Sequence, residues 1–211
     1  MAEMKTMTIN GTQFTLPFAP AGYGLGGVAK PLYSTDDINN IKTGGRYTWG
    51  SSVPANAPLS FCMMDVMTRN DSTVIQVIYT ISDAAGKRCT LIRHSLSADT
   101  WDEFEWDNPP MVLGVEYRTT ERYNGAPVYT KLIDLGNMPS NGSGKWVEHG
   151  TGSQTPIRVC GRIPSYTLPL RTPSDEITIS VTSDYVLVFA PASNATDWTG
   201  STGQAQIWYT K

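Results

Sequence analysis

The chain is poor in the residues on which most enzymes depend. It has two histidines, His94 and His149, and neither has a second histidine, a cysteine or an acidic residue at a recognised ligand spacing, which argues against a zinc or iron site. Its cysteines, Cys62, Cys89 and Cys160, are odd in number and widely spaced, with no C-x-x-C pair. That pattern predicts three buried, unpaired thiols rather than a disulfide framework. An excess of one charge is also missing. Sixteen basic residues stand against 19 acidic ones, a net charge of −3, with no like-charged run able to track phosphates, so nucleic acid is not an expected partner. No apolar stretch approaches the roughly 18 residues of a membrane span. The N-terminal "MAEMKTMTINGTQFTLPF" has no apolar secretory core after its charges, so neither membrane insertion nor a signal peptide is expected.

Room for helices is scarce too. Fourteen prolines and 19 glycines interrupt short apolar runs and leave few windows of helical length, which predicts an all-β fold. The exception is "STDDINNIKTGG". Thr35 reads as N-cap, Asp36 and Asp37 complement the dipole of the first turn, Ile38 and Ile41 share a face, and Gly44 follows the end. A helix over residues 35–43, about two turns long, is predicted. The preceding "LPFAPAGYGLGGVAKPL" reads as an extended connector that needs a neighbour to pack against.

Strand-like runs follow: "RYTWG", "LSFCMMDVMTR", "STVIQVIYTIS", "RCTLIRHS" and "WDEFEW", parted by "VPANAP", "ND" and "DAAGK". Between Val74 and Tyr79 only Gln76 is polar, as suits a central strand covered on both faces. The "NPP" at residues 108–110 cannot lie inside a ladder and marks a boundary near Pro110. Beyond it, "APVYTKLIDLG" sets Val128, Thr130, Leu132 and Asp134 against Tyr129, Lys131, Ile133 and Leu135. "EITISVTS", "YVLVFAP" and "AQIWYTK" add further alternation, and together they describe a β-sandwich.

Catalytic patterns are thin. "NGSGK" and "GTGSQ" miss the G-x-S-x-G nucleophile turn, and the former lacks the upstream glycine of a P-loop. The segment "WDEFEWD" places Glu103 and Glu105 roughly 7 Å apart on one strand face, a separation compatible with glycoside hydrolysis. The competing reading is a solvated edge strand protected by negative charge, with Trp101, Phe104 and Trp106 divided between core and rim. Asn-x-Ser/Thr sequons at Asn10, Asn70, Asn141 and Asn194 read as small polar turns.

The stretch "STDDINNIKTGGRYTWGSSVPANAP", closing on "TWDEFEW", resembles the pyocin-knob type of domain in phage tail fibres. "NPPMVLGVEYRTTERYNGAPVYTKLIDLGNMP", with the terminal "AQIWYTK", is similar to the C-terminal part of tail-fibre or receptor-binding proteins of phages and prophages of gut Firmicutes. The resemblance implies a non-enzymatic homotrimer in the phage tail, made in the bacterial cytoplasm, touching other tail or baseplate proteins and presenting a head to a bacterial surface glycan or protein. It implies a connector and trimer-contact segment over 1–32, a knob-like β domain over 33–110 and a sandwich head over 111–211. No catalytic residue, metal ligand or cofactor is carried over. Within the head, Trp146, Tyr166 and Trp198 are the candidate binding residues, offering flat apolar faces to sugar rings. A structural spacer using those aromatics for trimer contacts is the alternative, and a glycan-cleaving tail enzyme the third reading.

Overall fold

The computed structural model describes residues 28–70, 72–81, 88–152 and 154–211, together with the backbone of 6–9 and 12–15. The connector expectation for residues 16–27 and the sequon at Asn10 therefore lie outside the described residues. The chain divides into two compact units, Met1–Phe104 and Glu105–Lys211, and strands dominate both.

In the first unit, β1 (Thr6–Ile9) and β2 (Thr12–Thr15) pair antiparallel. A separate sheet runs in the order β7 (Thr90–His94), β6 (Thr73–Thr80), β5 (Cys62–Asn70), β4 (Gly45–Trp49), β3 (Lys30–Pro31), antiparallel except for the parallel β3–β4 pair. Alternation gives the sheet one buried face. Tyr47 and Trp49, then Cys62, Met64 and Val66, then Val74 and Ile78, then Leu91 point to the same side. The one polar residue between Val74 and Ile78 also points there. Gln76 is fully buried and accepts two hydrogen bonds from Arg93, at 2.9 and 2.8 Å, while its own amide donates to the carbonyls of Ile38 and Ile41. Arg93 in turn lies 4.3 Å from the Trp101 ring centre and 4.4 Å from that of Phe104. A buried guanidinium thus exchanges water for a side-chain amide and two aromatic faces.

That network explains why the predicted two-turn helix is a single 3-10 turn, Ile38–Asn40, capped by Asp37 rather than Thr35. Asp37 Oδ1 accepts from the Asn39 amide at 2.8 Å, and Ile38 N–H donates to Ala55 O at 3.2 Å. Gln76 takes the carbonyls of Ile38 and Ile41, and the Trp101 indole N–H donates to Asn39 O at 3.1 Å. The polar groups that would have propagated a helix are spent on neighbouring strands and loops, and two asparagines supply little propensity to resist.

Two further expectations are corrected. "WDEFEW" is not a solvated edge strand: only Glu105–Trp106 is strand (β8), and Glu105 is buried, paired with Arg118 at 2.9 Å and Arg122 at 2.6 Å. Of the three thiols, Cys62 and Cys89 are buried and burial pushes the Cys62 thiol up to about 12, but Cys160 is exposed, because its strand turns that face outward.

The second unit is a sandwich. One sheet runs β13 (Tyr166–Leu168), β12 (Thr155–Ile163), β17 (Thr202–Thr210), β10 (Ala126–Asn137), β9 (Glu116–Tyr123), β8. The other runs β11 (Ser143–Glu148), β16 (Tyr185–Ala190), β15 (Glu176–Val181), β14 (Leu170–Arg171). Asn124 and Gly125, with φ of 49° and 81°, make the tight primed turn between β9 and β10 that "RYNGAP" encodes. Ile133, Leu135, Ile163, Ala205, Ile207 and Tyr209 from the first sheet meet Ile177, Val186 and Val188 from the second. Gly161 is required where the layers approach: a Cβ there would stand 2.9 Å from Gln204 O and 3.0 Å from Ile179 Cδ1.

Candidate functional site

On the second sheet of the sandwich the alternation that buries Val186 and Val188 turns Tyr185, Leu187 and Phe189 outward. Register then assembles a surface. Phe189 lies between Gly144 and Thr178, Leu187 between Trp146 and Ser180, and Tyr185 beside Glu148. Trp146 is 59% exposed, and its ring meets Tyr185 edge to face at 6.0 Å and 89°. Tyr185 and Phe189 are exposed as well, and Gly144 leaves the floor beside Leu187 and Phe189 without a side chain. The result is a face three strands wide and three rows long, about 10 by 14 Å, whose apolar part is a platform of Trp146, Tyr185, Leu187 and Phe189 on β11 and β16. Thr178, Ser180 and Glu148 are exposed along its margin.

The sequence-predicted trio does not form one cluster. Tyr166 and Trp198 come together, ring centres 5.4 Å apart at 88°, but Trp146 belongs to the other sheet. Trp198 is only 8% exposed and sits in the hydrophobic core, so the Tyr166 ring is the outward member of its pair. The loop carrying Trp198 is pinned by side chains. Asn194 accepts from Glu176 N–H and donates to Glu176 O, both at 2.8 Å, and Asn141 Nδ2 donates to the carbonyls of Asn194 and Thr196. The Thr196 N–H donates to Asp175 and holds that carboxyl below the usual carboxylate range, helped by the Ser174 and Thr196 hydroxyls against the opposing effect of burial. Two residues read as sequons are thus loop anchors.

Tyr185 and Phe189 were not singled out by sequence. The signal was present in "YVLVFAP", where both alternating sets are apolar, a pattern that a strand with one solvated face does not need. The two histidines also have structural settings. His94 ends β7, and His149 is buried, its ring within hydrogen-bonding distance of the Thr151 hydroxyl at 2.8 Å and of Thr182 O at 3.4 Å. Among the described residues no group of three or more His, Cys, Asp or Glu is arranged to hold a metal ion.

No protein-family model matches the chain, and no curated protein matches it. Among solved structures it is similar to the P. aeruginosa R2 pyocin fibre, at 10% identity and a TM-score of 0.35, over 96% of this chain and 73% of that one. The P. aeruginosa R1 pyocin fibre gives 9% and 0.32 over 86% and 67%, and an N-truncated R2-type pyocin tail fibre gives 9% and 0.31 over 85% and 96%. Likenesses at these TM-scores carry no functional weight, which falls instead on the chain's own residues.

Proposed function

We propose that the chain is a non-enzymatic recognition module of a phage tail fibre, homotrimeric in the virion, whose C-terminal sandwich holds a bacterial surface glycan. The observation that carries this reading is the Trp146–Tyr185–Leu187–Phe189 platform. A pyranose has an apolar C–H face and an equatorial belt of hydroxyls. The aromatic faces suit the first, and Thr178, Ser180 and Glu148 at the margin supply donors and acceptors for the second.

Size favours a sugar over a protein on this surface. A specific protein interface needs roughly 800 Å² from each partner, several times what this 10 by 14 Å face offers. Tyr166, standing on the buried Trp198, is a further contact in this reading. The knob-like domain over 33–110 and the connector over 1–32 serve attachment to other tail or baseplate proteins, and the spacer alternative would instead bury the aromatics between subunits.

The test compares Trp146→Ala and Tyr185→Ala with the parent on a glycan array and in adsorption to host cells. Each variant is expected to keep its melting temperature and lose at least about tenfold in apparent affinity, a loss of about 1.4 kcal/mol. Unchanged adsorption by both variants removes the platform as the site. Release of reducing sugar from the host envelope by the parent protein, abolished by Glu103→Gln, would establish the enzymatic reading instead.

A further inference from the structure

Across the other sheet of the sandwich, β17 lies between β10 and β12, and one register row reads Asp134, Gln204, Arg162. Thr202, Gln204, Gln206 and Trp208 take the face opposite the buried Ala205, Ile207 and Tyr209, and Arg158, Cys160 and Arg162 point the same way from β12. At the Thr202 end the surface sinks into a cleft of about 450 Å³, lined by Asp134, Arg162, Gln204 and Thr202 with Ile163 and Pro164 at its side. That volume falls within the range of about 300–1,000 Å³ usual for small-ligand sites.

Asp134, Arg162 and Gln204 are each held in the cleft but not used up. A bulge between Asp134 and Gly136, with Gly136 at φ +59°, turns the Gly136 N–H onto Asp134 Oδ1 at 2.8 Å, which fixes the carboxylate and leaves Oδ2 as an acceptor. Arg162 Nη2 makes a long contact of 3.4 Å to Gln204 Oε1, and among the described residues no carboxylate pairs with this guanidinium. Arg158 on the same strand differs: its guanidinium stacks 4.2 Å from the Trp208 ring centre and pairs with Glu121 at 2.8 Å. Of these two arginines on β12, Arg162 is therefore the one with bidentate capacity still to offer.

We infer that this cleft binds an acidic sugar, a pyranose bearing a carboxylate. The carboxylate lies in the plane of the Arg162 guanidinium and accepts two N–H donors. The ring hydroxyls lie over Gln204 and donate to Asp134 Oδ2, while the Thr202 hydroxyl completes the set. Neighbouring strands stand about 4.8 Å apart, so Asp134 and Arg162 are about 10 Å from each other across the row, room for one ring and its substituents between opposite charges. A purely neutral sugar would leave the guanidinium unmatched. A phosphate can also accept two donors from the guanidinium, and comparison with glycerol 1-phosphate separates that ligand from a carboxylate. The site is separate from the Trp146 platform, which belongs to the other sheet, so neither proposal depends on the other.

The test is titration of the full-length ¹⁵N-labelled protein with oligosaccharides of glucuronate, galacturonate and N-acetylneuraminate, each beside its methyl ester, with glycerol 1-phosphate and triglycine as comparison ligands. At least one acidic sugar is expected to shift the Gln204 side-chain amide and the Arg162 Nε–H signals at millimolar to micromolar concentration, with its ester at least about tenfold weaker. Arg162→Gln should remove the preference for acid over ester, Arg162→Lys should restore part of it, and Trp146→Ala should leave it intact. Added salt should weaken the binding. Equal binding of acid and ester, tighter binding of glycerol 1-phosphate or triglycine, an unaltered Arg162→Gln variant, or no response to any of the three acids would each overturn the inference.

Discussion

Tyr209 shows how a single residue couples packing to pH. Its ring is buried in the sandwich core and stacked on Tyr129 at 6.0 Å, while its hydroxyl donates to Glu116, which Lys211 also contacts. Burial pushes the phenol well above the usual tyrosine range, and the hydrogen bond to Glu116 adds to the shift. The folded-state pKa thus exceeds the unfolded one, about 10. Its contribution to stability is complete below about pH 10 and is lost above that, because the unfolded chain releases the proton first. Denaturant titrations from about pH 8 to 11 should show the unfolding free energy of the second unit falling above pH 10 by up to about 1.4 kcal/mol per pH unit from this group. In Tyr209→Phe that part of the slope should vanish; a variant with the parent's slope would assign the alkaline loss to other groups.

At the scale of elements, the loop of residues 191–201 shows how a Gly-, Ser- and Thr-rich segment is given one conformation. Asn194 reproduces a strand's hydrogen bonding against Glu176, Ala195 N–H donates to Ser174 O at 3.1 Å, and Thr196 is tied to Asp175. Trp198 follows and is carried into the core. Asn194→Ala should remove both contacts to the Glu176 backbone and cost about 1–3 kcal/mol. Faster amide exchange at Glu176 and a red-shifted tryptophan emission would report it. An unshifted emission would mean that packing alone seats Trp198. The same scale explains the helix that shrank to one turn. Thr35, Asp36, Asp37 and Gly44 are sound local signals, but Gln76 and Trp101, distant in sequence, claim the carbonyls that a longer helix would have used.

For the whole molecule, the trimer remains the proposal that most affects function. Val112, Leu113 and Val115 expose apolar side chains along one short segment, and Val28 is more exposed still, as expected of surfaces awaiting a partner subunit. Light scattering of the full-length chain at micromolar concentration should give three times the 23.1 kDa chain mass. A stable monomer would refute the trimer. In the proposed trimer, three platforms on one particle would turn weak single sites into firm attachment, so adsorption should fall more steeply than monovalent affinity when Trp146 is replaced.

The all-β class is legible in the amino acids alone, because prolines and glycines leave few helical windows and period-2 alternation decides which face of each strand is apolar. The strands around "APVYTKLIDLG" and "YVLVFAP" are marked in the same way, and Trp146 stands out as an aromatic of the second unit. Strand order was a matter for the folded chain. Alternation says which way a side chain points but not which strand lies beside it, so the union of Trp146 with Tyr185, and of Asp134 with Gln204 and Arg162, arises only from pairings across long sequence separations. Burial of Trp198 and Glu105 had the same origin. Each carries local polarity suited to a surface, and each is drawn inside by partners far along the chain or, for Glu105, by two arginines on the neighbouring strand.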